Sequence, residues 1–118
     1  MMLVIDPRSA VPPFEQVRAQ LLTQITSGKL AAGAKLPTVR RLAEDLGIAP
    51  NTVARSYREL EAAGLIETRG RAGSFVAARG DAAERQVQEA ARHYADLVRR
   101  LGVSEDAALA WAEAALRA

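Results

Sequence analysis

Apolar residues recur at intervals of three and four near the start of the chain, with polar residues between them. This spacing predicts an amphipathic helix that begins near Pro13, with Gly28 as its C-terminal stop. Residues 3–6 (LVID) precede it and favour a short extended segment, which Pro7 separates from the helix. The predicted buried face of the helix holds Phe14, Val17, Leu21, Leu22 and Ile25.

The stretch 36–64 predicts two more helices joined by a tight turn. Thr38 can cap the first helix through its side-chain oxygen, and Gly47 ends it. The second helix begins at Pro50, whose missing N–H has no partner in a first turn anyway, and ends at Gly64. The predicted buried residues are Val39, Leu42, Ala43 and Leu46 on the first helix and Val53, Tyr57 and Leu60 on the second.

Three positions in this stretch meet the packing needs of a helix-turn-helix. Ala43 lets the helices approach closely, Gly47 permits a left-handed turn residue, and Val53 fills the angle between the helices. Beyond Gly64, the segments LIETR and SFVAA predict two strands around the tip GRAG at residues 70–73. Two helices followed by a hairpin predict a winged helix-turn-helix DNA-binding domain over residues 1–79.

Residues 80–118 return to a helical pattern. One amphipathic helix follows Asp81 and closes at Gly102, and Ser104 can cap a second helix, which is also predicted to bury Ala108, Ala112 and Ala115. Two alanine-rich helices of this length need a partner surface, either the winged domain or a second subunit. The fold class is therefore mainly α with a small β hairpin and a two-helix C-terminal tail, which is predicted to be a dimerisation tail if its partner is a second subunit. The predicted dimerisation residues are Val87, Ala91, Tyr94, Val98, Leu101, Leu109, Trp111 and Leu116.

The amino-acid composition excludes several kinds of functional site. The chain has no cysteine and one histidine, His93, so thiolate sites are excluded and few metal ligands remain beyond carboxylates. No serine has a plausible base and the carboxylates form no recognisable pair, so we predict neither an enzyme, nor a metal site, nor a cofactor. The first residues lack a signal-peptide pattern, and no apolar run approaches the roughly 18 residues of a membrane helix. These features predict a cytoplasmic protein without membrane contact.

Charge is distributed unevenly along the chain. Residues 1–80 carry eleven Lys and Arg against seven Asp and Glu, a net +4, whereas residues 81–118 carry five against seven, a net −2. A basic front half fits a nucleic-acid module. Asn, Thr and Arg on the second helix of the pair suit base edges, and arginines on the first helix suit phosphate. Arginines on the wing suit either a flanking backbone or the minor groove. The predicted DNA-binding residues are Thr38, Arg40, Arg41, Asn51, Thr52, Arg55, Arg58, Arg69, Arg71 and Gly73.

Charged helix faces are usually just solvated, so a plainer interpretation stands beside this one. Arg55 with Glu59, and Arg58 with Glu61, have the spacing of intrahelical ion pairs. The fold also suits a protein-interaction module without specific DNA binding. The salt dependence of DNA affinity separates the two hypotheses, because phosphate contacts release counterions.

Three segments carry a resemblance to a known family: PPFEQVRAQL at 12–21, SGKLAAGAKLPTVRRLAEDLGIAPNTVARSYRELEAAGLIETR at 27–69, and GSFV at 73–76. They resemble the GntR family of bacterial transcription regulators, most closely its short YtrA-like branch. The resemblance implies a homodimer that binds a two-fold-related operator of double-stranded DNA, usually as a repressor. It also implies a short two-helix tail used for dimerisation and targets that are often transporter operons. It specifies no small-molecule effector.

The sequence departs from the family pattern at a few positions. Many members have Arg where Pro50 and Ala54 stand, and members usually have Ser or Asn where Ala49 stands and Gly where Arg71 stands. The second helix of the pair is therefore predicted to lack its side-chain cap. By position, the resemblance assigns DNA contacts to the wing around Gly73 and to Arg40, Asn51, Thr52 and Arg55.

Overall fold

A computed structural model describes residues 2–118, which form five helices and one two-stranded hairpin. The mainly α architecture with a small hairpin is confirmed. Within these residues no helix is both long enough and apolar enough to span a membrane. In chain order the elements are α1 (Pro13–Thr26), α2 (Val39–Leu46), α3 (Pro50–Ala62), β1 (Ile66–Thr68), β2 (Ser74–Val76), α4 (Ala82–Leu101) and α5 (Glu105–Arg117).

The helix ends follow the local chemistry of the sequence. Thr38 caps α2 by accepting the backbone N–H of Arg41 at 3.1 Å, and Gly47 closes α2 in the left-handed region at φ 67°. Helix α3 begins at Pro50 after Ala49, which has no side-chain acceptor and makes no cap. The predictions of a cap at Thr38 and of a missing cap at Ala49 are both confirmed.

One hydrophobic core joins α1, α2, α3 and the hairpin. Three residues predicted as buried, Leu22, Val39 and Leu46, are only partly buried at its edge. Phe14 is also only partly buried. Ser56 is fully buried, although the apolar pattern did not predict it. All members of the core cluster lie between residues 17 and 76, namely Val17, Leu21, Ile25, Leu36, Leu42, Ala43, Val53, Tyr57, Leu60, Ile66 and Val76.

The hairpin is antiparallel and gains a short third strand partner from the connector before α2. Strand β1 pairs with β2 in the register Ile66 with Val76 and Thr68 with Ser74. On the other side of β2, the N–H of Leu36 donates to the Ser74 carbonyl at 2.9 Å. The N–H of Val76 likewise donates to the carbonyl of Ala34 at 2.9 Å. The wing is therefore tied by its backbone to the chain that leads into α2.

A row of glutamines on α1 holds the N-terminal segment in an extended conformation. The amide of Gln20 accepts the N–H of Val4 at 2.9 Å and donates to its carbonyl at 2.7 Å, as a neighbouring strand would. Gln16 likewise accepts the N–H of Asp6 and donates to its carbonyl, and Gln24 donates to the carbonyl of Met2. The predicted extended segment is thus present, but side chains satisfy its backbone groups.

The tail follows as two capped helices. Asp81 and Glu84 form a capping box at the start of α4, Gly102 closes α4 at φ 69°, and Ser104 caps α5. Of the tail residues, all of which the structure describes, only Ala108 is buried; Ala112 is half-buried and Ala115 is exposed. Ala115 is therefore not buried within one chain, and its burial against a second subunit stays a prediction.

Polar groups join α4 to the winged part of the chain. The Gln88 amide accepts the N–H of Arg79 at 3.0 Å, and the Arg79 guanidinium donates to the carbonyl of Ile25 at 3.3 Å. One turn further along α4, the stem of Arg92 packs on Gly33, which has φ +85° and no side chain to obstruct it. Most of the apolar stripe of α4 is exposed in one chain.

Candidate nucleic-acid interface

The exposed face of α3 carries polar residues from its first turn onward. Val53, Tyr57 and Leu60 anchor the opposite face in the core. Asn51 and Arg58 are exposed and Thr52 is half-buried. Because the first N–H groups of a helix lack intrahelical partners and Ala49 has no side-chain acceptor for them, this end of α3 favours anionic ligands.

Arg55 lies at the middle of this face and has two protein partners. Its guanidinium carbon lies 3.6 Å from the centre of the Phe14 ring, and its Nε lies 3.9 Å from a carboxylate oxygen of Glu59. The predicted ion pair between Arg55 and Glu59 is confirmed. The second predicted pair is not formed: Glu61 accepts the backbone N–H of Thr68 at 3.0 Å instead of meeting Arg58.

Helix α2 presents two arginines at its N-terminal end. Both Arg40 and Arg41 are exposed. The Arg41 side chain pairs with Asp45 at 3.1 Å, which offsets its unfavourable place near the positive end of the helix dipole. Arg40 projects from the first turn of α2, where backbone N–H groups attract phosphate.

The wing holds its two arginines differently. Arg69 stacks over Phe75 at 4.5 Å from the ring centre and donates to the Glu67 carboxylate at 2.9 Å. Arg71 is exposed in the single 3₁₀ turn at the tip, Gly70–Ala72. Gly73 has φ +105°, and a Cβ there would lie 3.3 Å from Cε of Lys35. The tip therefore offers Arg71 as its most accessible cation.

A cleft of about 270 Å³ brings the start of α2, the middle of α3 and the wing tip together. Lys35 joins the predicted residues there. Lys35 was not among the predicted DNA-binding residues, because the connector has the pattern of a plain turn. A lysine directly before the Leu-Pro-Thr segment would have indicated a cation close to the start of α2. The lining residues that matter for charge or backbone approach are Lys35, Thr38, Arg71 and Gly73, with Tyr57 at the back.

Tyr57 fixes the geometry of this cleft. Its hydroxyl donates to the carbonyl of Pro37 at 2.7 Å, so α3 is tied to the residue that precedes the cap of α2. Burial of the phenol raises the pKa of Tyr57 to about 12. The hydroxyl therefore stays protonated and donates this bond throughout the neutral range.

The winged part of the chain matches a known protein family. The profile described as "Bacterial regulatory proteins, gntR family" matches residues 13–76, which run from the start of α1 to the end of β2. The chain belongs to the GntR family. Its fold is the winged helix-turn-helix of that family, and the members it resembles are transcription regulators rather than enzymes.

Two curated relatives place this GntR protein among short regulators. It is 44% identical over 107 residues to the HTH-type transcriptional regulator Rv1152 of Mycobacterium tuberculosis, covering 91% of this chain and 88% of that protein. It is 46% identical over 76 residues to the HTH-type transcriptional repressor YtrA of Bacillus subtilis, covering 64% of this chain and 58% of that protein. The recognised likeness to the YtrA-like branch is confirmed.

Two solved structures extend the likeness to the fold. YtrA of Sulfolobus acidocaldarius, a GntR-family transcription factor, has a TM-score of 0.62 at 26% identity, covering 98% of this chain and 97% of that one. The DNA-binding domain of AraR, solved in complex with its operator ORE1, has a TM-score of 0.55 at 25% identity, covering 65% of this chain and 94% of that one. The structural similarity to YtrA of Sulfolobus acidocaldarius thus includes the two tail helices, α4 and α5.

The predicted dimerisation residues of this GntR chain are mostly solvent-exposed in one copy. Val87 is 69% exposed, Leu101 66% and Trp111 59%. Val98 is half-buried, and the Tyr94 hydroxyl donates to the carbonyl of Ala108 at 2.6 Å, which joins α4 to α5. The remaining members of the set, all exposed, are Ala91, Leu109 and Leu116. Over residues 2–118 no group of three His, Cys, Asp or Glu side chains could hold a metal ion.

Proposed function

We propose that this GntR-family regulator is a homodimeric repressor that binds a two-fold-related DNA operator through α3 and the wing. The observation that carries the proposal is the cleft in which Lys35, Thr38, Arg71 and Gly73 converge beside α3. Three separate elements thereby offer cations or backbone to one surface, which a solvated helix face does not do. The division into a DNA-binding domain over residues 1–79 and a dimerisation tail over 80–118 belongs to the same proposal.

Each group in this surface has a role set by its chemistry. On α3, which enters the major groove, Asn51, Thr52 and Arg55 read base edges. Around it, the first turn of α2 and the wing contact the phosphate backbone on either side, since cations and free N–H groups favour anions there. The backbone contacts are assigned to Thr38, Arg40, Arg41, Arg58, Arg69, Arg71 and Gly73, with Lys35 added.

The dimer follows from the apolar seam of α4. Val87, Ala91, Tyr94, Val98 and Leu101 are spaced by four, three, four and three residues, the repeat of a coiled-coil seam. Among the described residues 2–118, none of the twenty in α4 is buried. A helix of this kind gains most of its stability from packing, so a second copy of the seam is the partner proposed here, with Leu109, Trp111 and Leu116 of α5 completing the interface.

Two relatives support the proposed repressor role and the proposed binding of operator DNA. The YtrA relative from Bacillus subtilis is described as a repressor, and the AraR domain was solved with operator DNA. If the two recognition helices enter successive major grooves, the half-sites lie about 10 bp apart. A regulator that binds chromosomal DNA acts in the cytoplasm, and a transporter operon is the target that the YtrA-like resemblance implies.

DNA binding is tested with a duplex selected from a randomised library and with the region upstream of the gene. Arg40→Ala is expected to weaken binding to all duplexes and to lower the log–log salt slope by about 0.9, because one phosphate contact is lost. Thr52→Ala is expected to weaken only the selected duplex, by about fivefold, since roughly 1 kcal/mol of base contact disappears.

These binding measurements separate a DNA-binding repressor from a winged module used for protein interaction. Wild-type affinity that is no tighter for the selected duplex than for random DNA, or that neither substitution changes, would refute the repressor proposal. A flat salt plot would favour a winged module used for protein interaction, because such a module makes no phosphate contacts.

Dimerisation is tested on the full chain by sedimentation. Val87→Glu places a charge in the seam and is expected to shift the protein to a monomer, because the charge cannot be buried unpaired against a second copy. Gln86→Glu introduces a carboxylate next to it outside the seam and should leave the dimer intact. A dimer that survives Val87→Glu would place the interface elsewhere.

A further inference from the structure

Arg55 is held in place by a residue from a different helix. Its guanidinium lies 3.6 Å from the centre of the Phe14 ring, close enough for an attractive cation–π contact. Phe14 belongs to the first turn of α1, forty-one positions earlier in the chain. The Arg55 side chain is nevertheless 56% exposed, so its donors remain accessible on the DNA-facing side of α3.

A buried hydrogen bond fixes Phe14 against α3. The hydroxyl of Ser56, which is fully buried, donates to the backbone carbonyl of Phe14 at 2.6 Å. Ser56 follows Arg55 directly, so the anchored backbone and the stacked ring sit on the same turn of α3. The ring therefore has a defined position relative to the Arg55 side chain, because both ends of the contact are attached to rigid helices.

Carboxylates complete the surroundings of Arg55. Glu59 lies 3.9 Å from its Nε, one turn along α3. On α1, the hydrogen bond from Arg18 lowers the pKa of Glu15, and the charge of Arg55 lowers it further. The Phe14 ring and the Glu59 carboxylate together restrict the Arg55 side chain, which otherwise loses rotamer entropy when it binds.

We propose that Phe14 is a positioning residue for DNA recognition, which orients the Arg55 guanidinium before the operator arrives. This inference rests on the proposed function, because it assigns Arg55 a base-reading role. The Phe14 ring covers one face of the Arg55 guanidinium, and the in-plane N–H groups remain available for a bidentate contact with guanine. Selectivity of α3 then depends on α1, which itself contributes no base contact.

The test compares Phe14→Leu with Phe14→Tyr in the full-length protein. Leucine keeps an apolar side chain but removes the ring face, whereas tyrosine keeps the ring and serves as the matched control. Phe14→Leu is expected to weaken binding to the selected duplex by about two- to fivefold, the equivalent of a surface cation–π contact. Affinity for random duplex and the salt slope should stay unchanged, since no charge is removed.

A double-mutant cycle distinguishes positioning from a structural effect. In the Arg55→Ala background, Phe14→Leu should cause no further loss, because the side chain that it orients is gone. Equal losses with and without Arg55, or unchanged or tighter binding by Phe14→Leu alone, would overturn the proposal.

A second measurement does not depend on DNA. The NMR order parameter of the Arg55 Nε–H group in the free protein should fall in Phe14→Leu and be retained in Phe14→Tyr. If the wild type fails to discriminate its selected duplex, the proposed function fails, while this order parameter still decides whether Phe14 orients Arg55. An order parameter that is equal in all three proteins would overturn the positioning role.

Discussion

Replacing Gly33 with alanine should loosen the docking of α4 on the winged domain as well as strain the backbone. Gly33 has φ +85°, and a Cβ there would lie 2.2 Å from Cδ and 2.6 Å from Cγ of Arg92. Gly28 provides a matched control, because it has φ +84° and a Cβ there would meet no atom within 4 Å. The two substitutions share the backbone strain and differ only in the contact with α4.

The expected magnitudes follow from this difference. A left-handed conformation costs an L-residue about 1–2 kcal/mol, so Gly28→Ala should lower the free energy of unfolding by that amount. Gly33→Ala should cost about 0.5–1.5 kcal/mol more, because Arg92 must leave its rotamer or α4 must move away. The half-buried pair between Arg92 and Glu89, at 3.1 Å, lies within α4 and adds little to this cost.

Urea denaturation of both variants measures the cost, and hydrogen exchange of the α4 amides shows whether the tail has loosened. Arg92→Ala removes Cγ and Cδ and leaves only the Cβ of residue 92, 3.2 Å from the new Cβ, so most of the excess should disappear. Gly33→Ala with Arg92→Ala should therefore fall below Arg92→Ala alone by little more than Gly28→Ala falls below wild type. Equal stabilities of Gly33→Ala and Gly28→Ala, with equal exchange in α4, would refute the proposed close packing of Arg92 on Gly33.

Two further predictions concern α3. Ala49→Ser should raise the free energy of unfolding by about 1 kcal/mol by supplying the missing cap, whereas Ala49→Val should not; equal melting temperatures for wild type and the serine variant would contradict this. Because burial raises the pKa of Tyr57 from 10 to about 12, the unfolded chain ionises first. Wild type should therefore lose about 1.4 kcal/mol between pH 9 and about pH 11 that Tyr57→Phe does not lose; parallel pH profiles in urea denaturation would contradict the assignment.

The sequence by itself determined the elements and their ends. Thr38, Gly47 and Pro50 act within one or two turns of their own position, so their effect on a helix can be read without the rest of the chain. The spacing of Ala43, Gly47 and Val53 was likewise enough for the helix-turn-helix, because its packing requirements involve neighbouring helices only. The fold class and the candidate recognition face of α3 both followed from such local signals.

Only the tertiary structure decided how the side chains are used. Arg55 and Arg69 were both predicted to bind DNA, and Arg55 had the spacing of an ion pair with Glu59, but the pattern did not indicate that each lies over an aromatic ring, Phe14 and Phe75 respectively. Lys35 joins the wing because its connector pairs with β2, a contact between segments about forty residues apart. Periodicity reports which face of an element is apolar and carries no information on which distant residue lies opposite a polar one.

The tail shows the same division between local and long-range information. The pattern correctly predicted two helices, the end of α4 at Gly102 and the cap of α5 at Ser104, because helix ends are local properties. It did not show that α4 meets the winged domain through Gln88 and Arg92, leaving the stripe exposed in one copy. That choice depends on the position of Gly33 relative to α4, which is set only when the connector has paired with the wing and the core has closed.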